Sequence, residues 1–140
     1  TGVQTCALPI SGRRSVLLMC VASAISPAHY SRIRDLAWNI LKPGGAVLFR
    51  DYGKYDMAQL RFESRSKRQS NKLDSDFYLR GDNTRAKFFT EQELRGTWEE
   101  GGDKFERGEI ETHTKLFVNR KRCLEMRRIW IQAKWVKKEL

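Results

Sequence analysis

The chain has 140 residues, enough for one domain with a modest core, and its 40% apolar and 31% charged content is that of a folded globular protein. Its longest apolar run, residues 16–25, falls short of the about 18 residues that a membrane-spanning helix needs. Cys6, Cys20 and Cys123 have no metal-ligand spacing and are odd in number, so no metal site or disulfide framework is expected and a reducing compartment is implied.

Thr1 to Ile10, TGVQTCALPI, contains in Gly2 to Ile10 the in-frame translation of a common sequencing adapter, and is set aside as non-native. The expectation that follows is a truncated gene product whose natural beginning is missing. The apolar run Val16 to Ile25 predicts a buried strand. Ser26-Pro27 then opens a helical pattern, with Ser as cap and Pro as first helical residue, and Ile33, Leu36, Ala37, Ile40 and Leu41 form its apolar face. Lys42-Pro43-Gly44-Gly45 ends that helix, and Ala46 to Arg50 predicts a second buried strand. Strand, helix, strand is the parallel crossover unit, and in an open α/β sheet ligands sit at the carboxyl ends of such strands. The polar cluster Asp51-Tyr52-Gly53 falls at that end.

Tyr55 to Phe62 predicts a short helix, and the Ser-, Arg- and Lys-rich Glu63 to Ser75 a flexible surface loop. Phe77 to Arg80 and Arg85 to Phe89 flank the turn-rich Gly81-Asp82-Asn83-Thr84 and predict a hairpin. Thr90-Glu91-Gln92-Glu93 is a capping box that starts a helix running to about Glu100 and stopped by Gly101-Gly102. Glu109 to Val118 and Arg128 to Val136 alternate loosely and predict a closing antiparallel pair around a basic turn, Asn119 to Arg122. The net charge of +10 concentrates here: residues 115–140 hold nine basic side chains against Glu125 and Glu139. Such a patch favours a polyanion.

Several segments together resemble the tRNA N3-methylcytidine methyltransferases, S-adenosylmethionine enzymes of the methyltransferase-like group. They are Cys20 to Ile25, Leu41-Lys-Pro-Gly-Gly45, Leu48-Phe-Arg-Asp-Tyr-Gly53, Tyr55 to Phe62, Phe77 to Asp82, Thr84-Arg85, Phe88-Phe-Thr90 and Arg128-Ile-Trp-Ile-Gln132. Leu-Lys-Pro-Gly-Gly recurs in many methyltransferases; the run from Arg50 to Phe62 with Arg80-Gly-Asp-Asn-Thr-Arg85 is far more specific. The resemblance covers Val16 to Leu140 and implies an α/β fold, the C-terminal half of a class I, Rossmann-like methyltransferase sheet with a final antiparallel strand pair. Val16 to Ile25 would be its fourth strand and Ala46 to Arg50 its fifth. The sequence contains no Gly-x-Gly-x-x-Gly, so the chain alone is expected to bind the cofactor poorly and to be inactive. Two positions depart from the family pattern: Asn83 stands where Gly is usual and Lys87 where an aromatic is usual.

The implied reaction is methyl transfer to cytidine N3 in the anticodon loop. Cytosine N3 is unprotonated near neutral pH, so positioning and charge stabilisation matter more than a strong base. A carboxylate accepting from the exocyclic amine would both read cytosine and stabilise the cationic product. Asp51 and Asp56, with Arg50 beside them, are the catalytic candidates. The target base must leave its stack. Tyr52, Tyr55, Tyr78 and Phe77 are candidate stacking faces for substrate, with Phe77 and Phe88 read rather as core aromatics, and Arg80, Asp82 and Arg85 are candidate contacts to phosphate or base edge. The small residues Val21, Ala22 and Ser23 would let backbone approach S-adenosylmethionine. Implied partners are tRNA and an accessory protein or synthetase, with no membrane and no metal, in the cytoplasm or an organelle. Two rival readings are a non-catalytic basic RNA-binding module and a small-molecule methyltransferase of the same fold. Trp38, Trp98, Trp130 and Trp135 are read as packing residues.

Overall fold

The computed structural model describes residues 12–65 and 71–139. The adapter reading of Thr1 to Ile10 lies outside the described residues.

The first strand, β1 (Arg13–Met19), begins and ends earlier than the apolar run suggests. At Cys20 the backbone turns left-handed (φ 53), and its N–H donates to the Arg50 carbonyl at 2.8 Å. Val21, Ala22 and Ser23 therefore belong to a tight turn, a 3-10 turn over Ala22–Ala24, not to the strand. A continuous apolar run has no period, so where its strand stops is not written in it. A second 3-10 turn, Pro27–His29, leads into α1 (Tyr30–Ile40). Ser26 occupies the cap position with extended backbone, but its hydroxyl caps no amide. Ala37 is buried and Ile33 packs on the core, whereas Leu36 is 60% exposed.

The second strand, β2 (Leu41–Tyr52), is longer than the predicted 46–50. It pairs parallel to β1, in the register Val16↔Val47 to Met19↔Arg50. The next helix, α2 (Met57–Arg65), extends past Phe62, and Lys72–Asp74 forms a short strand, β3. Part of the predicted loop 63–75 is thus regular; residues 66–70 lie outside the described residues. The predicted hairpin is present as β4 (Phe77–Leu79) and β5 (Arg85–Lys87), which complete a small three-stranded sheet. Asn83 takes the left-handed turn position (φ 65), a conformation Asn tolerates in place of Gly.

The capping box exists as the sequence predicts. The Glu93 N–H donates to the Thr90 hydroxyl at 3.2 Å, the Thr90 N–H donates to the Glu93 carboxylate at 3.1 Å, and α3 (Glu91–Trp98) follows. Gly101 and Gly102, at φ 77 and 64, turn the chain away from the helix end. Two long strands close the fold, β6 (Glu109–Asn119) and β7 (Leu124–Val136), antiparallel to each other. The main sheet has the order β1-β2-β7-β6, with β7 antiparallel to β2. This is the arrangement the resemblance implies for the fourth and fifth strands and the final pair. Among the described residues no helix is long and apolar enough to cross a membrane.

One face of this sheet carries the core. Val47, Phe49, Ile131, Ala133 and Trp135 are buried there, with Leu94, Trp98 and Phe105 packed against them. The Trp135 ring stacks on Trp98 at 5.0 Å, and Gly108 backbone presses on its edge. A Cβ at Gly108 would stand 2.2 Å from Trp135 Nε1, and the indole has no room to retreat. Gly108→Ala is therefore expected to destabilise by about 3 kcal/mol, the upper part of the overpacking range. Thermal unfolding should report it as a drop in Tm of roughly 10 °C. An unchanged Tm would mean that the 104–108 loop yields freely. On the opposite face Leu17 and Met19 remain 60% and 48% exposed.

Candidate nucleic-acid interface at the carboxyl end of the parallel pair

Asp51 sits at the end of β2 and is fully buried. Its Oδ2 accepts the Ser23 N–H at 2.9 Å and its Oδ1 accepts the Tyr52 N–H at 2.9 Å. The carboxylate thus ties the turn after β1 to the end of β2. Burial raises its pKa above the ordinary carboxylate value; the two amides and the nearby Arg80 charge oppose that shift. On the other side of the turn, the Tyr30 hydroxyl donates to the Ala22 carbonyl at 3.0 Å. Burial, with the Asp51 charge, pushes both the Tyr30 phenol and the Cys20 thiol upward.

Asp56 is equally buried. It accepts Arg128 Nε at 2.9 Å, the Ile129 N–H at 2.7 Å and the Ala58 N–H at 3.0 Å. It caps the start of α2 and locks that helix to β7. Neither carboxylate faces solvent, so direct contact of Asp51 or Asp56 with a cytosine amine, the expectation from sequence, is not the arrangement present. Asp51 acts on the backbone around it, and Asp56 on two backbone amides and the Arg128 guanidinium.

The groups that do reach the surface lie on the open face of the sheet. Register places Tyr52 opposite Trp130 and Arg50 opposite Gln132, so their side chains share one face. The Arg50 guanidinium stands 5.2 Å from the Trp130 ring and that of Arg128 5.4 Å from it. Tyr52 lies 5.0 Å from Trp130, with Arg80 and Arg128 within 5.9 and 5.7 Å of its own ring. The result is a ladder of alternating guanidinium and aromatic groups. Arg128 and Trp130 were not picked out from the sequence as site residues. Two signals were present, the place of Arg128-Ile-Trp-Ile-Gln132 among the segments that carry the resemblance and a spacing of two that puts both on one strand face; the register that brings that face to Tyr52 is tertiary.

The remaining candidates separate. Tyr55 is 64% exposed, whereas Tyr78 is 1% exposed and stacks on Phe62 at 4.9 Å. Tyr78 is a core ring, which corrects its reading as a stacking face for substrate; its hydroxyl donates to Glu63, and its pKa is pushed up to about 12, first by burial. Asp82 accepts from the Thr84 N–H and hydroxyl, at 3.0 and 2.6 Å, so it shapes the hairpin turn. Arg80 is half-buried and Arg85 exposed at either end of that turn. Lys87 points inward, 5% exposed, and donates to Glu93 and the Ser75 carbonyl, each at 3.0 Å. Its departure from the family pattern is thus a buried lysine in a part-buried ion pair and not a surface change.

For a methyl-donor cofactor the described residues offer one wall. Val21 is 44% exposed, while Ala22 and Ser23 are nearly buried, and their turn is pinned by Asp51 and Tyr30. Small side chains on rigid backbone at the carboxyl end of a parallel pair suit close approach by a ligand. Beyond the sheet, β6 and the start of β7 pair only with each other and project as an exposed ribbon. Its ladder-side face carries Lys115, Phe117, Met126 and Arg128, with the Lys115 ammonium 5.0 Å from the Phe117 ring.

No protein-family model matches the chain. It is 44% identical over 122 residues to the tRNA N(3)-methylcytidine methyltransferase Mettl2 of Drosophila melanogaster, covering 87% of this chain and 35% of that protein. It is 42% identical over 117 residues to the tRNA(Thr) (cytosine(32)-N(3))-methyltransferase of Saccharomyces cerevisiae, covering 84% of this chain and 18% of that protein. Its fold is shared with a SAM-dependent methyltransferase from Methanosarcina mazei, at a TM-score of 0.60, 16% identity, and coverage of 93% of this chain and 61% of the other. The chain thus spans about a third or less of the two curated relatives. Over the aligned residues it is a homologue of the tRNA N(3)-cytidine methyltransferases, built on part of the SAM-dependent methyltransferase fold.

Proposed function

We propose that this chain carries the RNA-facing wall, and one edge of the cofactor site, of an enzyme that methylates N3 of cytidine in the tRNA anticodon loop. The observation that carries the reading is the ladder Arg50–Trp130–Arg128–Tyr52–Arg80 at the carboxyl end of β2, continuous with the basic ribbon. Guanidinium groups between ring faces suit a strand of alternating phosphates and unstacked bases. S-adenosylmethionine, when bound, would supply an electrophilic methyl group. The chain's own residues do the placing: Asp51 fixes the Val21–Ser23 turn, Asp56 fixes Arg128, and the Tyr52 and Trp130 rings receive the extruded base. Asp51, buried just behind the strand end, acts by positioning: its two accepted amide hydrogen bonds hold the cofactor-side turn against the Tyr52 backbone.

Filter binding of unmodified tRNA to the 140-residue chain over a range of salt tests this. Affinity should fall steeply with salt, and Arg50→Gln and Arg80→Gln should each lower the log–log slope by about 0.7–0.9. A salt-insensitive, weak association would point instead to a small-molecule methyltransferase. The separate chain is expected to transfer no methyl group, since its sequence holds no Gly-x-Gly-x-x-Gly for the cofactor and, among the described residues, β1 pairs on one side only. To test catalysis, these residues can replace the matching segment of a full-length relative. Retained tRNA binding without methylation by that chimera would favour the non-catalytic RNA-binding reading.

A further inference from the structure

Tyr55 stands in a conformation that its residue type resists. Its φ is 69, the left-handed region that Gly or Asn enters readily and an aromatic residue does not. The fold makes little use of the ring, which is 64% exposed. Among the described residues its only side-chain contact of note is the Lys54 ammonium, 5.4 Å from the ring centroid.

The backbone around it, by contrast, is held firmly by buried groups. The Tyr55 N–H donates to Gln59 Oε1 at 2.7 Å. Gln59, 3% exposed, donates through Nε2 to Asp76 Oδ1 at 2.6 Å. Asp76, 8% exposed, pairs through Oδ2 with Lys54 Nζ at 3.2 Å, which brings the ammonium back beside the Tyr55 ring. Backbone strain that the surroundings over-determine, at a residue whose side chain the fold leaves idle, points to use of that side chain by a ligand.

We infer that Tyr55 is a stacking platform for an unpaired RNA base, presented by a Gln59–Asp76–Lys54 latch. The inference rests on the RNA reading above and adds to it a subsite and two positioning residues, Gln59 and Asp76. An exposed, rigid phenol suits a nucleobase, because every base offers a π-face. The ammonium beside the ring, one-third exposed and held by Asp76, suits the adjoining phosphate.

The test uses the 140-residue chain and an anticodon stem–loop RNA with 2-aminopurine placed in turn at each unpaired position. Binding of the wild-type chain should quench fluorescence at one or two positions, and Tyr55→Phe should quench alike. Tyr55→Asn accepts the left-handed backbone but has no ring. It should lose the quenching and bind about tenfold more weakly, at the lower end of what one base stack contributes, while its Tm stays level or rises by a few degrees. Gln59→Ala keeps the ring but frees it, and should weaken the quenching at the same positions. Quenching and affinity unchanged in Tyr55→Asn would overturn the subsite and leave the RNA reading standing. A wild-type chain that binds no RNA would overturn both. A fall in Tm for Tyr55→Asn would mark the ring as a packing element and count against the platform.

Discussion

Asp56→Ala is expected to cost about 3 kcal/mol of stability, near the lower end for breaking a buried ion pair from one side. The carboxylate collects three donors from two elements: Ala58 at the start of α2, and Arg128 with Ile129 on β7. Removing it leaves the buried-side Ile129 amide without an acceptor, which alone costs about 1–3 kcal/mol. Arg128 is 30% exposed and can turn to water, so its share of the loss is smaller. Denaturant unfolding measures the sum. The variant should also lose RNA affinity, because Arg128 would no longer be fixed between Tyr52 and Trp130. A loss of affinity with no loss of stability would show that Asp56 holds only the arginine and not the helix.

Asp51→Asn should separate stability from function. The folded state raises the Asp51 pKa, chiefly by burial, so folding favours the protonated carboxyl. That contribution to stability is fully present below the unfolded value of 3.8 and is lost as pH rises through the folded value. The Tm of wild type minus that of Asp51→Asn should therefore be larger in acid than at neutral pH. A difference that stays flat with pH would mean that the carboxyl titrates as in the unfolded chain. The asparagine has one carbonyl oxygen for two backbone amides, so the link from Ser23 to Tyr52 is half broken. In the chimera with a full-length relative, methyl transfer should fall on the order of 10²-fold through that misplacement. tRNA affinity should fall less than methyl transfer, because the Asp51 side chain is buried and reaches the ladder only through the Tyr52 N–H. Equal loss of both would make Asp51 a folding residue only.

Much of the architecture was legible in the chain because it is local. The Thr90–Glu93 capping box, the Gly81–Thr84 hairpin turn and β6 each carry their signal within a few residues and appear where that signal puts them, whereas β7 starts at Leu124, four residues before the alternation at Arg128. That β1, β2 and the closing antiparallel pair share one sheet followed from the resemblance and not from periodicity; their order, β1-β2-β7-β6, is a finding of the structure. The end of β1 was misplaced because 16–25 is apolar throughout, and only the left-handed Cys20 breaks it.

For the candidate site, the sequence by itself determined which short stretch matters, Arg50 to Phe62, and that a basic segment accompanies it. Which groups in that stretch are buried and which meet a partner was decided by the tertiary structure alone. Asp51, Asp56 and Tyr78 look like surface chemistry in the chain but are enclosed by elements distant in sequence. Arg128 and Trp130 look like a strand's ordinary alternation but complete the ladder. The physical reason is that burial and strand register are set by pairings across more than 70 residues, such as Asp56 with Arg128, and no local pattern encodes the partner.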